Sequence, residues 1–204
     1  MLVRPVRRSA AEDRDAVYAI CLRTGDEGQD AGRALPEGSA HLMGDVWAGP
    51  YLAVEPESAA VAEDEGVVVG YVLGTRDTRR FEAACERSWW PRLRAANPLP
   101  VGPPGSWDLA ARLRWLVHHP LHPPDDVVAG FPGHLHLNVQ PGAQGRGVGP
   151  ALLAAALERL RTDGAPGVHV GVSPGNARAN QFWERGGFRE VRVDPGVRWL
   201  GRPL

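Results

Sequence analysis

The strongest constraint on the fold of this chain is a strand that runs directly into a glycine-rich turn and then into a helix. Apolar residues alternate over His134–Val139, the turn Gln144-Gly145-Arg146-Gly147-Val148-Gly149 follows, and a stripe at helical spacing begins after Pro150. Proline is accepted in the first turn of a helix, where its missing N–H would have no partner. Backbone N–H groups unhindered by Cβ atoms then meet the positive end of a helix dipole, so this turn predicts a phosphate-binding site.

Two common phosphate-binding loops do not fit this turn. A Walker A loop needs a lysine, and the 23 basic residues of the chain are all arginine. The dinucleotide pattern G-x-G-x-x-G fails in both frames, because Gly145 leads to Pro150 and Gly147 leads to Leu152. The pattern that fits is Gln-x-x-Gly-x-Gly. The alternative is a tight turn that needs glycine only for its backbone dihedral angles.

Composition narrows the class of protein. A length of 204 residues suits one domain over residues 1–204, and a net charge of −1 indicates no nucleic-acid partner. No apolar run approaches the ~18 residues of a membrane span, and Met1–Pro5 lacks the apolar centre of a signal peptide. Cys21 and Cys85 lie on apolar helical stripes, which favours reduced core thiols and a cytoplasmic protein.

The remaining pattern predicts strands and helices in one mixed α/β layer structure. Ser9 is expected to cap the first helix, with Glu12 completing a capping box. Two Pro-rich loops are expected, at Asn97–Gly105 and His118–Gly133. The predicted strands are Leu2–Val6, Ala59–Glu63, Val67–Thr75, His134–Val139, Val168–Ser173, Phe188–Val193 and Val197–Leu200, and the predicted helices include His41–Trp47, Pro150–Asp163 and Ala177–Arg185.

A second motif follows the glycine turn. The segment from Asn176 to Phe188 reads Asn-x-x-Ala-x-x-Phe-Trp-x-x-x-Gly-Phe, and with Gln-x-x-Gly-x-Gly it resembles the GNAT acetyltransferase superfamily. From roughly Met43 onward, including Gly70–Thr78 and the helix of Phe81, the chain is similar to a bacterial branch related to the acetyltransferase-like domain of O-GlcNAcases. The resemblance covers that appended domain alone, so it implies no glycoside hydrolysis.

The resemblance implies a GNAT fold: a single mixed central sheet flanked by helices, with a helical insertion at about 81–133 before the central strand. It implies acetyl-CoA as co-substrate, held in a cleft between two central parallel strands that splay apart, and no metal. The implied coenzyme-binding residues are Leu137, Asn138, Val139, Gln144, Gly145, Arg146, Gly147, Val148, Gly149, Pro150, Asn176, Ala179, Phe182 and Trp183.

The implied reaction is direct attack of an amine, on a small molecule or a peptide, on the acetyl thioester. His134, His136 and Asn138 share one strand face, which makes His136 the favoured candidate base and His134 the second. Trp183 stands where the family has a tyrosine that protonates the leaving thiolate, and an indole cannot do so. The alternative is therefore a catalytically weak or inactive acetyl-CoA-binding module.

The insertion is expected to shape the acceptor pocket. Trp89, Trp90, Trp107 and Trp115 would suit an aromatic or amphipathic acceptor, although core packing explains them as well. The histidines of the loop at 118–126 are interpreted as a pocket rim or a solvated loop, because prolines interrupt any metal-ligand spacing. Glu82, Glu86, Arg92 and Arg94 are expected to form a solvated helix face.

Overall fold

The computed structural model describes residues 1–7 and 11–204, so the predicted cap at Ser9 lies outside the described residues. In the described part of the chain, seven strands form one sheet in the order β1-β2-β3-β4-β5-β7-β6. Strands β4 and β5 run parallel, and the other neighbours pair antiparallel. The strands are β1 (Leu2–Pro5), β2 (Ala60–Asp64), β3 (Val67–Thr75), β4 (Gly133–Val139), β5 (Gly167–Val172), β6 (Arg189–Asp194) and β7 (Val197–Pro203).

Helices cover both faces of this sheet, which confirms the predicted mixed α/β fold. None of the helices in residues 1–7 and 11–204 is long and apolar enough to cross a membrane. The helices are α1 (Ala11–Arg23), α2 (His41–Trp47), α3 (Gly49–Val54), α4 (Thr78–Ser88), α5 (Trp90–Ala96), α6 (Leu109–His118), α7 (Asp125–Gly130), α8 (Val148–Thr162) and α9 (Ala177–Arg185).

Helix α3 (Gly49–Val54) was not predicted, and α8 and α7 also differ from the prediction. Helix α8 begins at Val148, two residues before the predicted start at Pro150. Helix α7 lies inside the segment predicted as a loop, since Val127 and Val128 are buried and two acidic residues occupy its first turn. Burial of the apolar pair and the favourable dipole position of the carboxylates stabilise this turn despite the surrounding prolines.

The sheet separates two apolar cores. Helices α1 to α6 pack on one face, around the buried side chains of Tyr71 and Leu73. Helices α8 and α9 pack on the other face, where Leu152 of α8 approaches Gly70 so closely that a Cβ there would lie 3.1 Å from the leucine. The first core also holds Cys21 and Cys85 as buried free thiols.

Strand β4 distributes its side chains as predicted. Leu135 and Val139 are buried against α8, so His134, His136 and Asn138 face the side of the insertion helices. β4 pairs with β5 only at Gly133/Val168 and His134/His169, after which the two strands separate. This early separation opens the centre of the sheet and positions the candidate site.

Candidate functional site

The gap between β4 and β5 exposes hydrogen-bonding backbone. The N–H of Gln140 donates to the carbonyl of Val69 on β3 at 3.0 Å. Because a strand alternates the side to which its peptide groups point, the peptide groups of Leu137 and Val139 face the gap. The side chain of Gln144 donates to the Val139 carbonyl at 2.8 Å. Both polar groups of Leu137 and the N–H of Val139 are therefore left for another strand-like partner.

Two separate structural features require glycine in the loop after β4: a left-handed backbone conformation and the close approach of a side chain. Gly145 and Gly147 adopt φ angles of +77° and +83°, the left-handed region that favours glycine. Gly147 is also the N-cap of α8. A Cβ on Gly149 would lie 3.0 Å from the ring of Phe182, so Phe182 packs directly on the start of α8. The loop is thus shaped by both of the predicted sequence motifs.

The start of α8 presents a row of N–H groups without acceptors. The N–H of Gln144 donates to the Pro141 carbonyl at 3.3 Å, and the N–H of Ala151 donates to the Gly147 carbonyl at 3.2 Å. Between them, the N–H groups of Gly145–Gly149 have no acceptor among the described residues. They gather at the positive end of a 15-residue helix, an arrangement that binds anions.

Two arginines adjoin this row of N–H groups. Arg146 pairs with Asp64 at 2.8 Å, so its charge is already partly neutralised. Arg178, which the sequence analysis did not select, donates to the Oε1 atom of Gln144, a neutral group. A cation whose partner is neutral is the better candidate for an anion. Arg178 lies in the first turn of α9, within the second sequence motif. This position in the motif is the sequence signal that could have identified it.

The second motif fastens α9 to the end of β5. Asn176 caps α9, because its Oδ1 accepts from the N–H of Ala179 at 3.0 Å. Buried Asn180, also missed by the sequence analysis, donates to the carbonyls of Ser173 at 2.9 Å and Asn176 at 2.8 Å. Trp183 is buried edge-on against neighbouring aromatic rings, 5.0 Å from that of Phe188. These contacts place the helix at the rim of the gap.

A pocket of about 340 Å³ lies between the insertion helices and the sheet. Residues of both β4 and β5 line it, including His136 and Val170 beyond the point where the strands separate. Its walls come from α2 to α6, the loop at 120–123 and the β6–β7 turn. The aromatic and ionisable side chains of the lining are Trp47, Tyr51, Phe81, Glu82, Cys85, Trp90, His122, His134, His136, His169 and Trp199.

The structure corrects the set of tryptophans expected near the pocket. Of the four expected, Trp90 lines it, together with Trp47 and Trp199, which the sequence did not indicate. Trp89 instead donates to the carbonyl of Asp45 at 3.0 Å. The other two, Trp107 and Trp115, pack against each other with ring centroids 5.2 Å apart, away from the pocket lining.

The expectation for Glu82 was also wrong. Glu82 lines the pocket instead of joining a solvated helix face. Its carboxylate pairs with Arg79 at 2.7 Å and lies 2.9 Å from Nδ1 of His122. Glu86 and Arg94 form the expected exposed ion pair at 2.8 Å. The predicted pocket rim is therefore represented by His122, held next to the Glu82 carboxylate.

Both ring nitrogens of His134 are engaged. The hydroxyl of Thr78 donates to the Pro132 carbonyl at 2.7 Å, so its oxygen accepts from Nδ1–H of His134 at 2.8 Å. The other nitrogen, Nε2, then accepts from the hydroxyl of Tyr51 at 2.7 Å. This second candidate base has no free lone pair.

His136 is held in a similar way by Tyr71 and Asn138. The Tyr71 hydroxyl accepts from the Asn138 side-chain amide at 2.9 Å and is hydrogen-bonded with Nε2 of His136 at 3.0 Å. Trp47 stacks nearly parallel to the imidazole, at 6.4 Å between ring centroids. Burial lowers the pKa of His136 to about 4, so the ring is neutral at pH 7.

His169 on β5 is the third histidine of the pocket, and the sequence analysis did not select it. It is 1% exposed, and its Nδ1–H donates to the carbonyl of Phe131 at 2.6 Å. Nε2 is buried and has no hydrogen-bond partner in the part of the chain that the structure describes. Burial lowers the pKa of His169, so its imidazole is also neutral.

Comparisons with known proteins agree with this geometry. The model of the Acetyltransferase (GNAT) family matches residues 112–188. The crystal structure of SsHAT is 38% identical, with a TM-score of 0.89, over 99% of this chain and 97% of that chain.

Two curated proteins are similar over part of their length. Protein O-GlcNAcase of Rattus norvegicus is 27% identical over 99% of this chain and 22% of its own length. Mycothiol acetyltransferase of Beutenbergia cavernae is 40% identical over 40% of this chain and 30% of its own length. The chain thus spans less than a third of the length of these relatives.

Proposed function

Because the chain belongs to the GNAT acetyltransferase family, we propose that residues 1–204 act as a single domain that transfers acetyl from acetyl-CoA to an amine on a small molecule or a peptide. The observation that carries the proposal is the separation of β4 from β5 after two paired residues, in a gap that ends at the loop Gly145–Gly149. The free buried thiols Cys21 and Cys85 are consistent with a reducing, cytoplasmic setting.

The residues around the gap fit acetyl-CoA. The pyrophosphate would bind the N–H groups of Gly145–Gly149, with Arg178 adding charge. The amides of the pantetheine arm would bond the exposed edge at Leu137 and Val139, as a partial extra strand. From Val139 to His134 is five residue steps, about 17 Å at ~3.3 Å each, a reach comparable to that of an extended phosphopantetheine arm. Acetyl-CoA supplies the activated acetyl group, and the protein orients it towards the pocket.

The protein's own contribution to the reaction is to position the two reactants. The pocket next to His136 would hold the acceptor amine against the acetyl carbon, and its aromatic walls, such as Trp47 and Trp199, would exclude water. His136 and His134, the β4 histidines that the sequence offered as candidate bases, line this pocket, and their ring nitrogens are hydrogen-bonded with Tyr71, Tyr51 and Thr78.

Trp183 favours a second candidate function, an acetyl-CoA-binding module without turnover. It is buried against Phe182 and Phe188, and an indole is too weak an acid to protonate a thiolate. The two functions differ in one observable, which is thiol release that depends on a supplied amine. Acetyl-CoA binding without such release from any amine would support the binding module.

The proposed coenzyme site is tested by calorimetric titration with acetyl-CoA. Gly147→Glu places a carboxylate among the N–H groups of the loop, so we expect micromolar binding by the wild-type protein and at least a hundredfold weaker binding by the variant. Gly164→Glu is the matched control, because Gly164 also has a positive φ (+81°) and open space but lies just past the other end of α8. Equal binding by all three proteins, or none by the folded wild type, would refute the site.

A further inference from the structure

Among the described histidines that line the pocket, His169 has a buried ring nitrogen without a hydrogen-bond partner. Nε2 of His134 accepts from Tyr51, and Nε2 of His136 is hydrogen-bonded with Tyr71. Nε2 of His169 has no partner among the described residues, although its ring is 1% exposed. A buried acceptor without a donor is destabilising, so this atom is available to accept from a donor on a bound molecule.

The hydrogen on the other nitrogen of His169 is unambiguous. Nδ1 lies 2.6 Å from the carbonyl oxygen of Phe131, and a carbonyl can only accept. Nδ1 therefore carries the hydrogen, and Nε2 carries a lone pair in the plane of the ring. A backbone carbonyl that orients an imidazole in this way prepares the opposite nitrogen to accept a proton.

His169 also stands where the two central strands meet. It is paired with His134 in the last step before β4 and β5 separate, and the two rings lie 5.6 Å apart. The edge at Leu137 and Val139 leads from the glycine loop down to this point, so the acetyl end of a bound coenzyme would arrive beside it. We propose that His169, through Nε2, is the general base that takes the proton of the attacking amine.

This role of His169 rests on the proposed acetyl transfer. The amine nitrogen forms the C–N bond with the acetyl carbon, the C–S bond breaks, and its electron pair leaves on sulfur. The proton lost by the amine goes to Nε2 of His169. It then passes to the thiolate, which yields the free coenzyme thiol and neutral His169. This route supplies the proton that Trp183 cannot give.

The surroundings of His169 hold it neutral before the reaction. Charged Arg79 and Glu82 of α4 act on it with opposite sign, His134 faces it from β4, and Trp199 of β7 lies edge-on with ring centroids 6.0 Å apart. Burial has the largest effect and lowers the pKa of His169. His169 is therefore unprotonated before the reaction and can accept a proton at Nε2.

The test compares His169→Gln with the wild-type protein in amine-dependent thiol release. The probe is phenethylamine, a primary amine on an aromatic body that suits the pocket walls, with acetyl-CoA as donor and the acetylated amine confirmed by mass spectrometry. We expect kcat to fall at least a hundredfold, with the KM and Kd for acetyl-CoA within twofold. His136→Gln is expected to lose less than tenfold. The control His119→Gln, at an exposed ring stacked on Trp115, should be unchanged.

A second measurement does not depend on turnover or on the variant folding. In wild-type protein with ¹⁵N-labelled histidine, NMR should find His169 protonated on Nδ1 alone, and the Nε2 signal should shift when acetyl-CoA and phenethylamine are added together. An Nε2–H tautomer, or His169→Gln with the kcat and pH–rate profile of the wild type, would overturn the proposal. A protein that binds acetyl-CoA but acetylates no amine would overturn it while the coenzyme site stands, whereas absence of acetyl-CoA binding would refute the proposed function itself.

Discussion

Acidification should destabilise this protein well above the pH at which its carboxylates are protonated. His136 is neutral in the folded state, with a pKa of about 4 because burial disfavours the cation, and the pKa of about 6.5 returns on unfolding. The unfolded chain therefore binds more protons than the folded protein between pH 6.5 and about 4. Stability is complete above pH 6.5 and falls as the pH is lowered through this window.

The expected loss of stability follows from the difference between the pKa of His136 in the folded and in the unfolded protein. About 2.5 pKa units at 1.36 kcal/mol each would be roughly 3 kcal/mol, and partial exposure of the ring reduces this to about 2–3 kcal/mol for His136 alone. His134 and His169 have pKa values lowered by the same burial and add to the effect. The pKa of Asp13 is lowered by Arg4, so its contribution is lost only below about pH 4, in a separate window.

The assay is urea unfolding at half-unit steps from pH 7.5 to 4, for the wild-type protein and His136→Gln. The free energy of unfolding of the wild type should fall with a slope near 1.4 kcal/mol per pH unit for each histidine that remains neutral. For His136→Gln, the slope of the free energy of unfolding against pH should be smaller by the contribution of one histidine. A free energy that stays flat from pH 6.5 to 4.5, or an NMR titration of His136 near pH 6.5, would refute the reasoning.

Two further predictions test the elements that frame the gap. Asn180→Ala removes three side-chain hydrogen bonds: two that Asn180 donates to the carbonyls of Ser173 and Asn176, and one that it accepts from Arg198. The free energy of unfolding should therefore fall by about 2–3 kcal/mol in a urea titration, and a loss below 0.5 kcal/mol would contradict the anchoring role. Arg178→Gln should weaken acetyl-CoA binding by about tenfold or more at low salt, because a charge-assisted contact with phosphate is lost. The control is Arg185→Gln, at the exposed far end of α9, and equal calorimetric affinities for both variants would assign Arg178 a structural role only.

The sequence determined the parts of this protein that local rules govern. A left-handed turn needs glycine at 145 and 147, an apolar stripe needs helical spacing, and a strand alternates its faces, so the segment 134–160 and the shared face of His134 and His136 could be predicted from neighbouring residues alone. The family resemblance extended this to the mixed sheet and the helical insertion, both confirmed by the structure.

The tertiary structure alone decided which side chains line the pocket and which of their polar atoms are already hydrogen-bonded. His169 joins His134 because β4 and β5 pair in one register, and the two residues are far apart in the chain. The hydrogen bonds of Tyr51 and Thr78 occupy the nitrogens of His134, which removes the lone pair that a sequence pattern assigns to a histidine. Which lone pair is free depends on partners brought together across the sheet, and residue type and spacing do not encode those distances.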